Sequence, residues 1–172
     1  MFKAGDFVIR KNNCNVCEIV GVEQCQLGPG FAKEEYFVLK SVFDSTERRV
    51  PVNKADSLLS YAMKKGEAED FIKVIAQKEY AWNNNDDKPN VSDSKKVLEN
   101  DSSVETLSEI VGTYYSRLAK GKNISRGGKN FLDSVEDVLF PTLGFSLKKT
   151  IDEVRSLMRG AFGIEDESES EN

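Results

Sequence analysis

In roughly the first 55 residues, apolar positions fall in short runs of β-branched and aromatic residues, bounded by Gly, Pro, Asn or Asp, without helical spacing. Phe7-Val8-Ile9, Cys17 to Val22, Tyr36-Phe37-Val38-Leu39 and Arg48-Arg49-Val50-Pro51-Val52 read as strands. Leu27-Gly28-Pro29-Gly30 reads as a turn or loop, and Asp44-Ser45-Thr46 as a turn joining two strands between Tyr36 and Val52. Pro51 cannot donate to a ladder, which suits an edge strand or a strand end. Strands of this number and length predict a small SH3-like or Tudor-like β-barrel over residues 1–58.

From about Asp56 the period changes to three and four. Ala68, Phe71, Ile72 and Ile75 predict a helix that stops near Trp82, and 83–90 (Asn, Asp, Lys and Pro) form a polar breaker. A second helix carries Val104, Leu107, Ile110, Val111, Tyr114, Tyr115 and Leu118 on one stripe, with Asp101, Ser102 or Ser103 as N-cap and Gly121 near its end. A third, capped by Ser125, carries Phe131, Leu132, Val135, Val138 and Leu139 and is expected to close at Pro141. A fourth, capped by Ser146, carries Leu147, Ile151, Val154, Leu157 and Met158. The predicted fold class is α+β: the barrel, then an all-α helical bundle over 59–164, then an acidic tail over 165–172.

Charge sharpens this division. The chain has 172 residues and a net charge of −5. Residues 1–60 balance 8 basic against 8 acidic side chains, and 61–164 balance 16 against 16, so the five acids of 165–172 carry the whole excess. That tail has no apolar residue and is expected to be a disordered, solvating segment. Between Ile110 and Leu132 there is no acid, while Arg117, Lys120, Lys122, Arg126 and Lys129 supply five cations. This stretch is either a solvated helix face or a surface for an anionic partner. No apolar run approaches the roughly 20 residues that cross a bilayer, so a membrane-spanning protein is excluded. The N-terminus lacks the apolar core of a secretory signal, so the cytoplasm is the expected compartment.

Candidate chemistry is sparse. The sequence contains 0 histidines, which removes Ser-His-Asp and Cys-His mechanisms, HExxH zinc chemistry and imidazole acid-base catalysis. Cys14 and Cys17 have CxxC spacing, but only Cys25 could add a third thiolate, and residues three apart on a strand point to opposite faces. Three ordinary reduced cysteines are expected, with no metal and no cofactor. Gly28-Pro29-Gly30 and Gly127-Gly128 match no phosphate-loop pattern. Trp82 is either a packing anchor or an exposed wedge against a base step, the latter needing phosphate contacts from Lys88, Lys95 or Lys96. No pair of carboxylates in an apolar run suggests general acid-base work.

Three segments carry a resemblance. Phe2-Lys3-Ala4-Gly5-Asp6-Phe7-Val8, then Glu35-Tyr36-Phe37-Val38-Leu39, then Val50-Pro51-Val52-Asn53-Lys54-Ala55 follow the order F-x-x-G-D-x-V, E-Y-x-V-L and V-P-x-x-x-A. In this the chain resembles the CarD/CdnL family of bacterial transcription regulators. The likeness continues more faintly through Lys96-Val97-Leu98-Glu99-Asn100 and Asn123 to Lys129, covering nearly the whole chain except the tail. The resemblance implies a Tudor-like domain that docks on the RNA polymerase β subunit, with Arg49 as the polymerase contact and Arg48, Val50 and Pro51 beside it. It also implies a helical domain at the upstream edge of the promoter bubble, with Trp82 as minor-groove wedge and Arg126 and Lys129 on phosphates; Lys95 and Lys96 join them as candidate DNA contacts. Such a protein is a monomeric binding factor, not an enzyme, and acts by holding the open promoter better than the closed one. The alternative keeps polymerase or another protein as partner and drops DNA, with Trp82 packed internally.

Overall fold

The structure, a computed structural model, describes residues 1–26, 28–30, 32–80 and 91–164. Among these residues it is a mixed α+β fold of five strands and six α-helices with one 3-10 turn, dividing into two compact units, Met1–Ala62 and Met63–Asn172. No helix among them is long and apolar enough to cross a membrane. The expected tail, and the Trp82 and Lys88 positions, lie outside the described residues.

The first unit is one antiparallel sheet: β1 (Phe7–Arg10), β2 (Val16–Cys25), β3 (Glu34–Ser41), β4 (Glu47–Pro51) and β5 (Leu59–Tyr61), in spatial order β4-β3-β2-β1-β5. The four runs read as strands all form strands, and β5 is an addition. Its apolar character is a single buried side chain, Leu59, too little for a period, so sequence reading starts the helical half before it. The unit boundary accordingly falls after Ala62, where the sequence suggested 58.

The sheet does not close. Among the described residues β4 pairs only with β3, and β5 only with β1. Alternation places Val8, Cys17, Ile19, Phe37, Leu39 and Val50 on one face, where they bury against Ala55 and Leu59 with Phe2 and Val52 alongside. A bulge in β2 shifts the register between Ile19↔Leu39 and Gly21↔Val38, so Ile19 is buried while Val20 is left 45% exposed. The β3–β4 turn is fixed by Asp44, whose carboxylate accepts from Thr46 N at 3.1 Å and Thr46 Oγ1 at 2.8 Å, with Ser45 at φ 59°. After β4 a 3-10 turn (Val52–Lys54) and the short α1 (Ala55–Leu58) return the chain to β1's other side.

The second unit contains α2 (Lys65–Gln77), α3 (Val91–Asn100), α4 (Val104–Ala119), α5 (Arg126–Leu147) and α6 (Ile151–Ala161). Helix α2 ends at Gln77, five residues before the expected stop, because Lys78 turns to extended backbone (φ −72°, ψ 140°). Tyr80 then folds back, its hydroxyl donating to Ile75 O at 3.0 Å. Helix α3 buries no residue, which is why its period is faint. In α4 the expected stripe is the buried one except for Leu118, and Ser103 is the N-cap, accepting from Thr106 N.

Two helix limits differ from expectation. Helix α5 starts at its Ser125 cap but runs through Pro141 to Leu147. Pro141 forfeits one ladder bond to the Asp137 carbonyl, yet Phe140, Thr142, Leu143 and Leu147 are all buried, and that packing outweighs a proline cost of about 3 kcal/mol. Ser146 therefore lies inside α5, and the N-cap of α6 is Thr150, in a capping box with Glu153.

Burial pushes the Tyr80 phenol up to about 12, with the Glu109 charge adding to it. A phenol raised in the folded state contributes stability fully present below its unfolded value of about 10, lost as pH rises toward 12. Thermal unfolding followed between pH 9 and 12 is expected to show a falling melting temperature, with a shallower fall in Tyr80→Phe.

Candidate interaction surfaces

The first candidate surface is the open edge of β4. Among the described residues its one strand neighbour is β3, so alternate backbone N–H and C=O groups of Glu47–Pro51 face away from the sheet. Arg48 pairs across from Leu39 and Val50 from Phe37, which places Arg48 and Val50 on the core face. Arg49 stands opposite Val38, on the other face, with Pro51 opposite Tyr36. The two arginines therefore flank the edge from opposite sides. Val50 is 4% exposed, so at this site it offers its backbone and not its side chain.

Arg49 is not a free cation. Its Nε donates to a Glu23 carboxylate oxygen in an ion pair, and Cys25 Sγ donates to the same oxygen at 3.3 Å. The Arg49 hydrogen bond, then that of Cys25, hold the Glu23 carboxyl below its ordinary range. The same bond raises Arg49, and Glu23 pushes the Cys25 thiol up. Sequence reading passed over Glu23 because the bulge that sets its register leaves no trace in local pattern. Cys14 and Cys17 are buried thiols outside any disulfide, and burial raises the Cys17 thiol. Among the described residues no group of three or more His, Cys, Asp or Glu side chains could hold a metal ion.

The second candidate surface lies on the helical unit. Arg126 is the first residue of α5 and Lys129 the fourth, both exposed, and the first turn carries no acid. Two cations at a helix N-terminus run against the preference set by the helix dipole, so the local field is strongly positive. Gly128 packs tightly at this turn: a Cβ there would meet Ser125 Oγ at 3.2 Å and Tyr114 at 3.3 Å. Lys95 and Lys96 are exposed on α3, which packs against both α4 and α5, and Lys96 faces Asp93 at 3.7 Å.

Lys129 also lines a cleft of about 600 Å³ with Asp133 and Glu136 from α5 and Arg155 and Arg159 from α6. These two arginines were not among the sequence candidates; their signal was the i, i+4 spacing on a single helix face. Of the five cations in the acid-free stretch, Arg117 is structural. It is 6% exposed, and its Nε donates to Asn123 O at 2.8 Å.

The chain matches no protein-family model and no curated protein.

Proposed function

We propose that this protein is a non-enzymatic, cytoplasmic regulator of bacterial transcription initiation that docks on the RNA polymerase β subunit through the β4 edge and meets promoter DNA through its helical unit. In this reading the sheet unit is a Tudor-like barrel left open between β4 and β5, the helical unit is a bundle, and the factor acts as a monomer. The observation that carries the reading is β4 itself: an edge strand with free backbone groups, bracketed by Arg48 and Arg49. Such an edge extends a partner's sheet by main-chain pairing, and flanking arginines select a partner with carboxylates beside its own edge. Arg126 and Lys129 at the α5 N-terminus supply positive charge for phosphates, with Lys95 and Lys96 on neighbouring α3.

The deciding experiment is equilibrium binding of the full chain, wild type and Arg49→Glu, to a purified β-subunit fragment. Wild type is expected to bind and the charge reversal to lose binding, with circular dichroism unchanged. No wild-type binding sinks the assignment. The reading without DNA draws support from Asp133, which shares the Lys129 cleft, and from the Asp93 pairing of Lys96. A salt titration on a forked promoter fragment separates the two. With DNA contact, affinity falls steeply with salt, and Arg126→Ala and Lys129→Ala each reduce the log–log slope by about one. Without it, no binding appears even at low salt.

A further inference from the structure

The Glu23–Arg49 pair joins strands that are not neighbours. Sheet order places β4 at the edge, β3 next and β2 third, with Arg49 opposite Val38 and Glu23 opposite Tyr36. To reach Glu23 the Arg49 side chain runs inward across β3, over two strand spacings or about 10 Å, rather than outward past the open edge. Cys25 donates to the carboxylate oxygen that holds Arg49, and Tyr36, 6% exposed, stands on β3 between Glu23 and Pro51. A strand added to the β4 edge would lie on the side away from Glu23.

Resting on the docking assignment above, we infer that Glu23 is a positioning residue that holds Arg49 off the β4 edge, so that a partner strand must carry its own carboxylate to draw Arg49 outward. Main-chain pairing at an edge is nearly blind to sequence, and Glu23 supplies the discrimination that pairing lacks. A partner edge without an acid leaves Arg49 on Glu23 and gains only backbone hydrogen bonds. A partner with one exchanges an internal ion pair for an intermolecular one, and its net gain is reduced by what Glu23 gave up.

The test uses the full chain and the β-subunit fragment as probe. Glu23→Gln is expected to bind the fragment about two- to fivefold more tightly than wild type, the range an exposed ion pair is worth. In the free protein, the Arg49 Nε–H resonance is expected at a hydrogen-bonded shift with slowed solvent exchange in wild type, and at the free-arginine position in Glu23→Gln. If wild type binds and Arg49→Glu does not, but Glu23→Gln binds equally or more weakly, the restraint is overturned and the docking assignment stands. If the resonance is identical in wild type and Glu23→Gln, the pair does not form and the restraint is again overturned. If wild type fails to bind, the docking assignment falls, and the restraint falls with it whatever the resonance shows.

Discussion

Gly112→Ala is expected to destabilise the helical unit by about 1–3 kcal/mol, the cost of forcing a methyl group into a filled core. The direction is not obvious, since an alanine in a helix interior is intrinsically better than glycine by about 1 kcal/mol. Space decides it. A Cβ on Gly112, in the middle of α4, would stand 2.1 Å from Tyr80 Oη and 2.2 Å from its Cζ. Tyr80 cannot retreat without cost, because it is 7% exposed and its hydroxyl donates to Ile75 O, bridging the end of α2. Tyr80→Phe in the same chain would not restore stability, since ring carbons at 2.2 and 2.7 Å still occupy the space. Gly160, near the end of α6, is the matched control. No atom of the described residues lies within 4 Å of its notional Cβ, and Gly160→Ala is expected to stabilise by about 0.5–1 kcal/mol. Urea denaturation of both variants checks the pair: stabilisation by both would mean that propensity, not the Tyr80 contact, governs Gly112.

What could be read from the chain in advance follows how local each signal is. The four longer strands and the Asp44–Thr46 turn are legible because alternation, β-branching and an Asx-turn act within a few residues. The stripe of α4 and the Ser125 cap are legible for the same reason. Pro141 misled because its local penalty is visible and the burial that outweighs it is tertiary. Strand β5 leaves no period because it buries a single side chain, and helix α3, which buries none, is reached only through the resemblance at residues 96–100. At the candidate surface, Arg48 and Arg49 are legible as cations on a strand, and as partner contacts only through the resemblance. That they flank the edge from opposite faces, and that Glu23 holds one of them, depends on sheet order and a bulge that no window of sequence contains. Arg117 illustrates the reverse error: a count of charges cannot tell a surface cation from one that is buried against the 120–125 loop.

Arg155→Met is expected to cost about 2–3 kcal/mol, less than the 3–5 kcal/mol of a fully buried pair because the Arg155 side chain is 34% exposed and water can partly replace it. The reason is Glu136. It sits on α5 at 3% exposure, and its two oxygens accept from Tyr115 Oη and from Arg155 Nε, each at 2.8 Å, so one carboxylate ties α4, α5 and α6 together. Arg155 also donates to Asp152 at 2.8 Å and lies 6.0 Å from the Phe140 ring centroid. Removing the guanidinium leaves a buried carboxylate with one neutral donor, an environment that penalises the charge. Tyr115→Phe takes away the other donor and is expected to cost about 1.5–3 kcal/mol, the worth of a hydrogen bond to a charged group. Burial, and then the Glu136 charge, raise the Tyr115 phenol, so it remains a donor through the neutral and mildly alkaline range. The informative variant is the triple replacement Tyr115→Phe, Glu136→Leu, Arg155→Met, which removes the charge together with both its partners. An apolar trio of similar volume carries no desolvation penalty, and it is expected to be more stable than Arg155→Met alone. Chemical denaturation of the single and triple variants decides the matter. A triple variant less stable than Arg155→Met would mean that Glu136 contributes net stability rather than requiring its partners to offset the cost of its burial.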